Sequence, residues 1–262
     1  MSETPLAGGD VNVGQNVVVR VGDTVRRPLS DRAAAVHALL RHFESVGFDG
    51  APRFLGIDER GREVLSYVEG EPALAPVPAG DDVVAGLGRL LRRMHDAQKG
   101  FVLPPGVDWP AGAVQAPADA VVCHNDQFWP NVVIRGGVPV ALIDWDLAAP
   151  APRVYDVASA ANFWAPLRPD DQAAAWGLPV ARRGERLRLL CDEYGLASRE
   201  RAGLLDVVAH INAIGYETHR RLGGVERRPG WAEMWDRGSG EQILARTRWF
   251  EAQRNDLLAF LR

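Results

Sequence analysis

Residues 123–146 read C-H-N-D-Q-F-W-P-N-V-V-I-R-G-G-V-P-V-A-L-I-D-W-D. Two apolar runs, Val132–Ile134 and Val138–Ile143, flank Gly136-Gly137, the pattern of a β-hairpin with a primed two-residue turn. With only the two glycines in the turn, Arg135 opposes Val138 and, counting back, Asn131 opposes Leu142. Asp144 then lies diagonal to Asn131 on the same face, and such neighbours are ~7–8 Å apart. An amide oxygen and a carboxylate at that spacing can share one hard cation, and Mg²⁺ prefers oxygen ligands. Before the hairpin, His124 and Asp126 stand in a loop after the apolar run Ala120–Cys123. A carboxylate five residues ahead of a metal-binding Asn is well placed to orient a hydroxyl nucleophile. The chemistry implied is phosphoryl transfer.

The H-N-D-x-x-x-x-N run followed by I-D-W-D resembles the catalytic and metal-binding loops of the aminoglycoside phosphotransferase family, within the protein-kinase-like fold. The resemblance implies an α+β, two-lobed architecture: a small β-rich nucleotide-binding lobe over residues 1–70 and a larger, mainly helical lobe over 71–262. It implies Asp126 as catalytic base with His124 supporting that loop. Asn131 and Asp144 are then the Mg²⁺ ligands, and ATP (or GTP) is the phosphoryl donor.

Outward from this stretch the family pattern is followed unevenly. Val17–Val21 and Thr24–Val25, parted by Gly22-Asp23, read as a hairpin, and the glycine-bearing run Leu6–Asn16 ahead of it would cover the phosphates. Asp31–Ser45 reads as a helix capped by Ser30 or Asp31, with Val36, Leu39, Leu40 and Phe43 on one stripe. Kinases carry a Glu on that helix, paired to a strand lysine. Here the strand reads V-R-R-P, and no lysine occurs in the first lobe: Lys99 is the sole lysine among 30 basic residues. Arg26 (or Arg27) is therefore the candidate to hold the phosphates with its planar fork; the two face opposite ways, so Arg27 serves as the control for Arg26. His37 stands about where the helix Glu is expected.

Strands around Arg53–Asp58 and Glu63–Val68 follow, and L-S-Y-V-E-G-E-P resembles the hinge, with backbone near Ser66 and Val68 meeting the adenine. The breaker-rich run to Gly80 marks the lobe boundary. Asp81–Gln98 is an amphipathic helix, and His95 near its end is read as packing or capping. Asp156 either caps the next helix or braces the catalytic loop, and Asp146 is either a second metal-facing acid or a solvated one.

Four helices fill the rest: Val157–Trp164, Arg182–Tyr194, Arg199–Arg221 and Gly240–Leu261. By resemblance the acceptor cleft lies among them. Asp170, Asp171, Asp192, Glu193, Glu217, Glu233 and Asp236 would suit a cationic small-molecule acceptor, and tryptophans could stack on sugar rings.

A net charge of −4 leaves no basic footprint for nucleic acid or an anionic membrane. The start shows no leader pattern and no apolar run approaches ~20 residues, so the cytoplasm is the expected location. Cys123 and Cys191 match no disulfide or metal pattern. A monomer or weak homodimer is expected. The sequence also admits a kinase of an amino alcohol or sugar, a nucleotide-binding protein without turnover, and a metal-dependent hydrolase. The last lacks the histidine-rich ligand set such sites often draw on.

Overall fold

The computed structural model describes residues 2–6, 18–72, 80–109 and 120–262. The expected glycine-bearing phosphate loop falls on residues 7–17, outside the described residues.

Short β-branched runs separated by Gly-containing turns build the first layer. Strands β1 (Thr4–Pro5), β2 (Val19–Val21), β3 (Thr24–Arg27), β4 (Phe54–Ile57) and β5 (Glu63–Ser66) form an antiparallel sheet in the order β1-β2-β3-β5-β4. The register of β3 on β5 places Arg27 directly opposite Glu63 and Arg26 opposite Val64.

Helix α1 (Ala33–Ser45) lays Val36, Leu39, Leu40 and Phe43 into the core. No side chain caps it, contrary to the expected role of Ser30 or Asp31. The Ala33 N–H instead donates to the Ser30 backbone carbonyl at 3.2 Å.

Beyond β6 (Glu71–Pro72), helix α2 (Asp81–Asp96) buries the expected stripe Val83, Val84, Leu87, Leu90, Leu91 and Met94. A Cβ on Gly88 would lie 3.0 Å from the Leu190 carbonyl, so this glycine lets α2 press on α5 (Arg183–Tyr194). Strand β7 (Val121–Cys123) pairs with β10 (Ala149–Ala151), and β8 (Val132–Arg135) pairs with β9 (Val138–Leu142).

The hairpin register differs from the two-residue count. Arg135 opposes Val138 as expected, but the pairing shifts between Val133 and Ile134, so that Val132, not Asn131, opposes Leu142. Pro139 sits opposite Ile134 and has no N–H for the ladder, and the chain accommodates it with a bulge that leaves Val140 over.

The remaining chain is helical: α3 (Val154–Trp164), α4 (Asp170–Ala174), α5, α6 (Ser198–His219), α7 (Trp231–Asp236) and α8 (Ser239–Leu261). Helix α6 runs into a π-helical turn over Arg220–Val225. No described helix is long and apolar enough to cross a membrane.

A single buried cluster runs from Leu65 of the sheet through Phe43 and Leu87 to Trp145, Trp164 and Phe250. Phe43, 1% exposed, meets Phe48 and Trp145 with ring centroids 4.8 and 5.6 Å away, tying α1 to the segment after β9. Phe43→Ala is expected to lower unfolding free energy by about 3–5 kcal/mol, the range for emptying a buried aromatic site. Urea denaturation reads this directly; a loss below about 1 kcal/mol would mean that the ring is not shared by the two halves.

Candidate active site

The loop between β7 and β8 carries the expected residues, and its shape comes from one buried carboxylate. Asp156, in the first turn of α3, is fully buried and makes no side-chain cap. Its Oδ2 accepts from the His124 backbone N–H (3.0 Å) and from His95 Nε2 (2.9 Å). Its Oδ1 accepts from the Asn125 N–H (2.8 Å) and from Gln127 Nε2 (2.6 Å). Of the two roles open to it in the sequence, Asp156 takes the bracing one. Burial alone would push this carboxyl up, but His95, the Asn125 amide and His124 outweigh it and hold Asp156 below its ordinary value. His95, in turn, meets Tyr194 Oη through Nδ1 at 2.8 Å, so α2, α3 and α5 converge on the brace.

His124 is a cross-link. It is fully buried; its Nε2 donates to the Ile143 carbonyl (3.0 Å), and its Nδ1 accepts from the Asp126 N–H (3.3 Å). Burial lowers its pKa. With both ring nitrogens committed to backbone, it ties the loop to the strand end, the supporting place expected of it.

Asn131 donates through Nδ2 to Asp126 Oδ2 at 2.7 Å. That bond turns the amide oxygen, the atom a hard cation takes, to the other side of the group. The Asn131 carbonyl accepts from the Ile143 N–H at 2.9 Å, which sets Asp144 one residue beyond the contact.

Strict alternation in the observed register would turn Asp144 away from Asn131. The backbone leaves strand geometry there: Asp144 has φ +63°, and Asn125, just before Asp126, has φ +64°. Asn and Asp are the residues that tolerate this left-handed region, and it concentrates at functional sites.

The two candidate first-lobe cations, Arg26 and Arg27, are neighbours on β3 and meet different partners. Arg26 shares a face with Thr24, whose Oγ1 it meets at 2.5 Å, and lies 3.8 Å from Asp58. Arg27 donates through Nε to Glu63 Oε1 (2.5 Å), through Nη1 to Asp144 Oδ1 (2.8 Å) and through Nη2 to Asp146 Oδ1 (2.5 Å). Asp146 therefore faces the site. Burial raises its pKa to about 6, against the pull of Arg27. Burial works against the Arg27 charge as well, and Asp146, Glu63 and Asp144 outweigh it.

Glu63, from strand β5, is gripped on its other oxygen by His37 Nε2 at 2.6 Å, and the His37 ring stacks on Phe54 at 3.6 Å. Burial opposes the Glu63 charge, but the His37 hydrogen bond and Arg27 hold its pKa below the ordinary value. Glu63 thus stands where a helix acid was sought, on the neighbouring strand.

Ser66, expected near the adenine edge, exchanges two hydrogen bonds with Arg53. Its backbone N–H donates to the Arg53 carbonyl (2.9 Å), and its hydroxyl accepts from the Arg53 N–H (2.8 Å). Val68 lies two residues beyond the end of β5.

Around Arg27, three carboxylates face one guanidinium, an excess of two negative charges when all are ionised. Each meets a different nitrogen of it, and Asp144 and Asp146, with the Asn131 amide oxygen, offer the oxygen atoms that a hard cation such as Mg²⁺ takes. Among the described residues, the group of three His, Cys, Asp or Glu side chains whose ligand atoms lie within 4.8 Å of one another is His95, Cys123 and Asp156. There the atoms already hydrogen-bond one another or the backbone, and burial raises the Cys123 thiol pKa well above its ordinary value.

Most of the acids expected to line an acceptor cleft are paired with arginines. Asp170 is paired with Arg183, Asp192 with Arg201, Glu193 with Arg89, Glu217 with Arg220 and Asp236 with Arg227. Asp171 and Glu233 are exposed.

Comparison with known proteins accords with this geometry. Residues 107–190 match the sequence model described as "Phosphotransferase enzyme family". The chain is 35% identical over 260 residues to the trifolitoxin immunity protein of Rhizobium leguminosarum bv. trifolii, spanning 95% of this chain and 98% of that one. Among solved structures it resembles a choline/ethanolamine kinase family protein from Mesorhizobium loti (TM-score 0.59, 17% identity, 100% of this chain and 92% of that one). It also resembles the amicoumacin kinase hAmiN in complex with AMP-PNP, Ca²⁺ and Ami (TM-score 0.61, 13% identity, 90% and 88%). These likenesses give the fold: a protein-kinase-like arrangement of an N-terminal antiparallel sheet followed by a mainly helical part.

The brace yields a pH-resolved test. Because the folded pKa of Asp156 is lowered, its stabilisation is present above the unfolded value, near pH 4, and is lost as pH falls through the folded value. Asp156→Asn is expected to cost about 3–5 kcal/mol at pH 7, as for breaking a buried charged pair, and the deficit should narrow below about pH 4. Denaturant titrations of both proteins at pH 7 and pH 3.5 measure it; a deficit independent of pH would assign the loss to shape and not charge.

Proposed function

This chain belongs to the phosphotransferase enzyme family, and from that premise we propose that it is an ATP- (or GTP-) and Mg²⁺-dependent O-phosphotransferase acting on a hydroxyl of a small-molecule antibiotic or toxin. The observation that carries the reading is the interlocked loop: Asp126 is held by Asn131 Nδ2 at 2.7 Å and, through its N–H, by His124, beside three carboxylates converging on Arg27.

Asp126 accepts the proton of the acceptor hydroxyl as its oxygen bonds to the γ-phosphorus, and the bond from that phosphorus to the bridging oxygen breaks to release the nucleoside diphosphate. The Asn131 hydrogen bond fixes which Asp126 oxygen takes the proton. Mg²⁺, held by Asn131, Asp144 and Asp146, supplies neutralising charge to the phosphates when bound. Arg27, pre-set by Glu63 and His37, is aimed to donate to the phosphates, and little covalent work remains for the protein.

In this reading residues 1–70 form the nucleotide lobe and 71–262 the lobe with catalytic loop, metal site and acceptor cleft, and backbone near Val68 is offered to the adenine edge. A relative named for trifolitoxin immunity supports a toxin or antibiotic acceptor, as against a housekeeping amino alcohol or sugar.

Asp126→Ala is expected to abolish transfer with nucleotide affinity within a few-fold, and Asp144→Ala to remove Mg²⁺-dependent nucleotide binding. Isothermal titration with Mg·AMP-PNP separates the two; parallel loss of binding and turnover in Asp126→Ala would make that residue structural. Arg27→Ala should weaken the transition state by about 2–4 kcal/mol, roughly 30- to 1,000-fold in kcat/KM for ATP. Arg26→Ala should change it less than about two-fold. The reverse order of effects would sink the assignment of Arg27.

A further inference from the structure

Arg27 faces two kinds of partner with the same nitrogens. Its Nη1 donates to Asp144 Oδ1 at 2.8 Å and its Nη2 to Asp146 Oδ1 at 2.5 Å, so the forked end bridges both acids that follow β9. Those carboxylates are the ones that offer oxygen to a divalent cation, and the same fork is the part of an arginine that grips phosphate. The contact is sheltered from water: the side chains of Arg27 and Asp146 are each 13% exposed and that of Asp144 27%.

The two ends of the guanidinium are held differently. Nε donates to Glu63 Oε1 at 2.5 Å, and the other Glu63 oxygen meets His37 Nε2 at 2.6 Å. Glu63 is buried, and its strand pairs with β3 so that the two residues stand directly opposite. This end is a pivot with backing from both the sheet and α1. At the forked end, among the described residues, the ion pairs of Asp144 and Asp146 are those to Arg27.

The acids themselves are set by backbone and core. Trp145, between them, is buried and donates through Nε1 to the Leu142 carbonyl at 3.1 Å. Its ring meets Phe43 and His124 with centroids 5.6 and 4.7 Å away. With Asp144 fixed in its left-handed turn on one side and Asp146 on the other, the long arginine side chain is the partner that can swing.

A guanidinium and a dication on the same two carboxylates would stand like charge against like charge, where little water screens them. Mg²⁺ also draws its oxygens to about 2.0–2.1 Å in a near-octahedral shell that keeps several waters. The fork fills the space those waters need.

We propose that Arg27 is a tethered counter-cation of the metal-binding acids. It and the divalent cation take Asp144 and Asp146 in turn, and the fork that the metal displaces is the one that then grips the nucleotide phosphates. This exchange rests on the phosphotransferase reading, which supplies the metal and the nucleotide. No covalent bond changes; ionic contacts are traded around the Glu63 pivot. Since the acids are bridged by the arginine, a cation arriving alone binds more weakly than the acids by themselves would hold it. Since phosphate accepts the displaced fork, metal and nucleotide each favour the binding of the other, by one shared factor. A cation that only gripped phosphate would behave otherwise: its loss would weaken the nucleotide and leave the metal unchanged.

The test measures binding and needs no turnover. Mn²⁺, a probe for Mg²⁺ whose free fraction is counted by electron paramagnetic resonance, is titrated into the full chain without nucleotide, with Asp144→Ala as background. Mn·AMP-PNP affinity is measured separately by isothermal titration. Arg27→Gln is expected to bind Mn²⁺ alone about five-fold tighter than the wild type, because its competitor is gone. The same variant should bind Mn·AMP-PNP about ten-fold more weakly, having lost a charged donor to phosphate. Arg60→Gln, an exposed control that removes the same charge from the first half, should leave both affinities unchanged. Should Arg27→Gln not fold, Arg27→Lys decides: its single nitrogen cannot bridge two acids while holding Glu63, so Mn²⁺ alone should bind about three-fold tighter.

Opposite movement of the two affinities is the signature. Mn²⁺ affinity unchanged or weakened in the Arg27 variants would overturn the exchange, as would an equal gain in Arg60→Gln, which would reduce the effect to net charge. Loss of both ligands together with a lower Tm would make Arg27 structural and overturn it too. Mn·AMP-PNP bound by Arg27→Gln as tightly as by the wild type would overturn the transfer of the fork to phosphate. If no protein binds Mn²⁺ beyond the Asp144→Ala background, the metal assignment in the transferase reading fails and the exchange with it. Mn²⁺ held through Asp144 but indifferent to Arg27 would overturn the exchange alone and leave that reading standing.

Discussion

The arrangement depends on a carboxylate that touches no substrate. Asp156 is fully buried, yet its two oxygens accept from four donors, and three of these come from the loop segment His124–Gln127. A carboxylate is acceptor-only when ionised, so each donor fixes a direction without competition from a proton on the acceptor. The amides of His124 and Asn125 are thereby pinned, Asn125 is carried into a left-handed conformation, and Asp126 projects from a loop with little freedom. Exchange of the aspartate for a neutral amide would leave shape and remove this one-sidedness.

The surroundings of Arg27 show how a register can supply a contact that the helix sequence does not. An acid on α1 is absent, but the pairing of β3 with β5 sets Arg27 directly across from Glu63, and cross-strand neighbours on one face interact. His37 of α1 reaches the far oxygen of Glu63, so the helix still contributes, through a relay instead of a charge. The replacement of lysine by arginine follows the same logic. An ammonium is a point charge, whereas the guanidinium fork here addresses Glu63, Asp144 and Asp146 with three different nitrogens.

What could be read from the sequence was local. The His124–Asp126–Asn131–Asp144 spacing, the α2 stripe and the glycine hairpin all lie within short stretches, where periodicity and turn chemistry act. What was misread needed long-range register. Counting back from Gly136-Gly137 ignored the ladder defect at Pro139, so Asn131 was placed one residue out of step. Strand alternation says that Arg26 and Arg27 face opposite ways, but the partner that Arg27 meets, Glu63, lies 36 residues away. The Ser66 N–H and hydroxyl are likewise taken by Arg53 across the sheet, a partner no local pattern names. One available signal went unused: Asn125 and Asp144 are residue types that tolerate positive φ, and each adjoins a functional position.

Charge is distributed differently in the two halves, and the difference is informative. Near the sheet, negative groups exceed positive ones: three carboxylates surround Arg27, and the excess suits a divalent cation that brings an anionic nucleotide. In the helical half Asp156 is the buried acid among the described residues, and five of the seven acids expected in the cleft are paired with arginines. Charge pairing in that half is thus largely a surface matter, whereas beside the sheet it is buried and ties the two halves together, since Arg27 of β3 reaches Asp144 and Asp146 after β9.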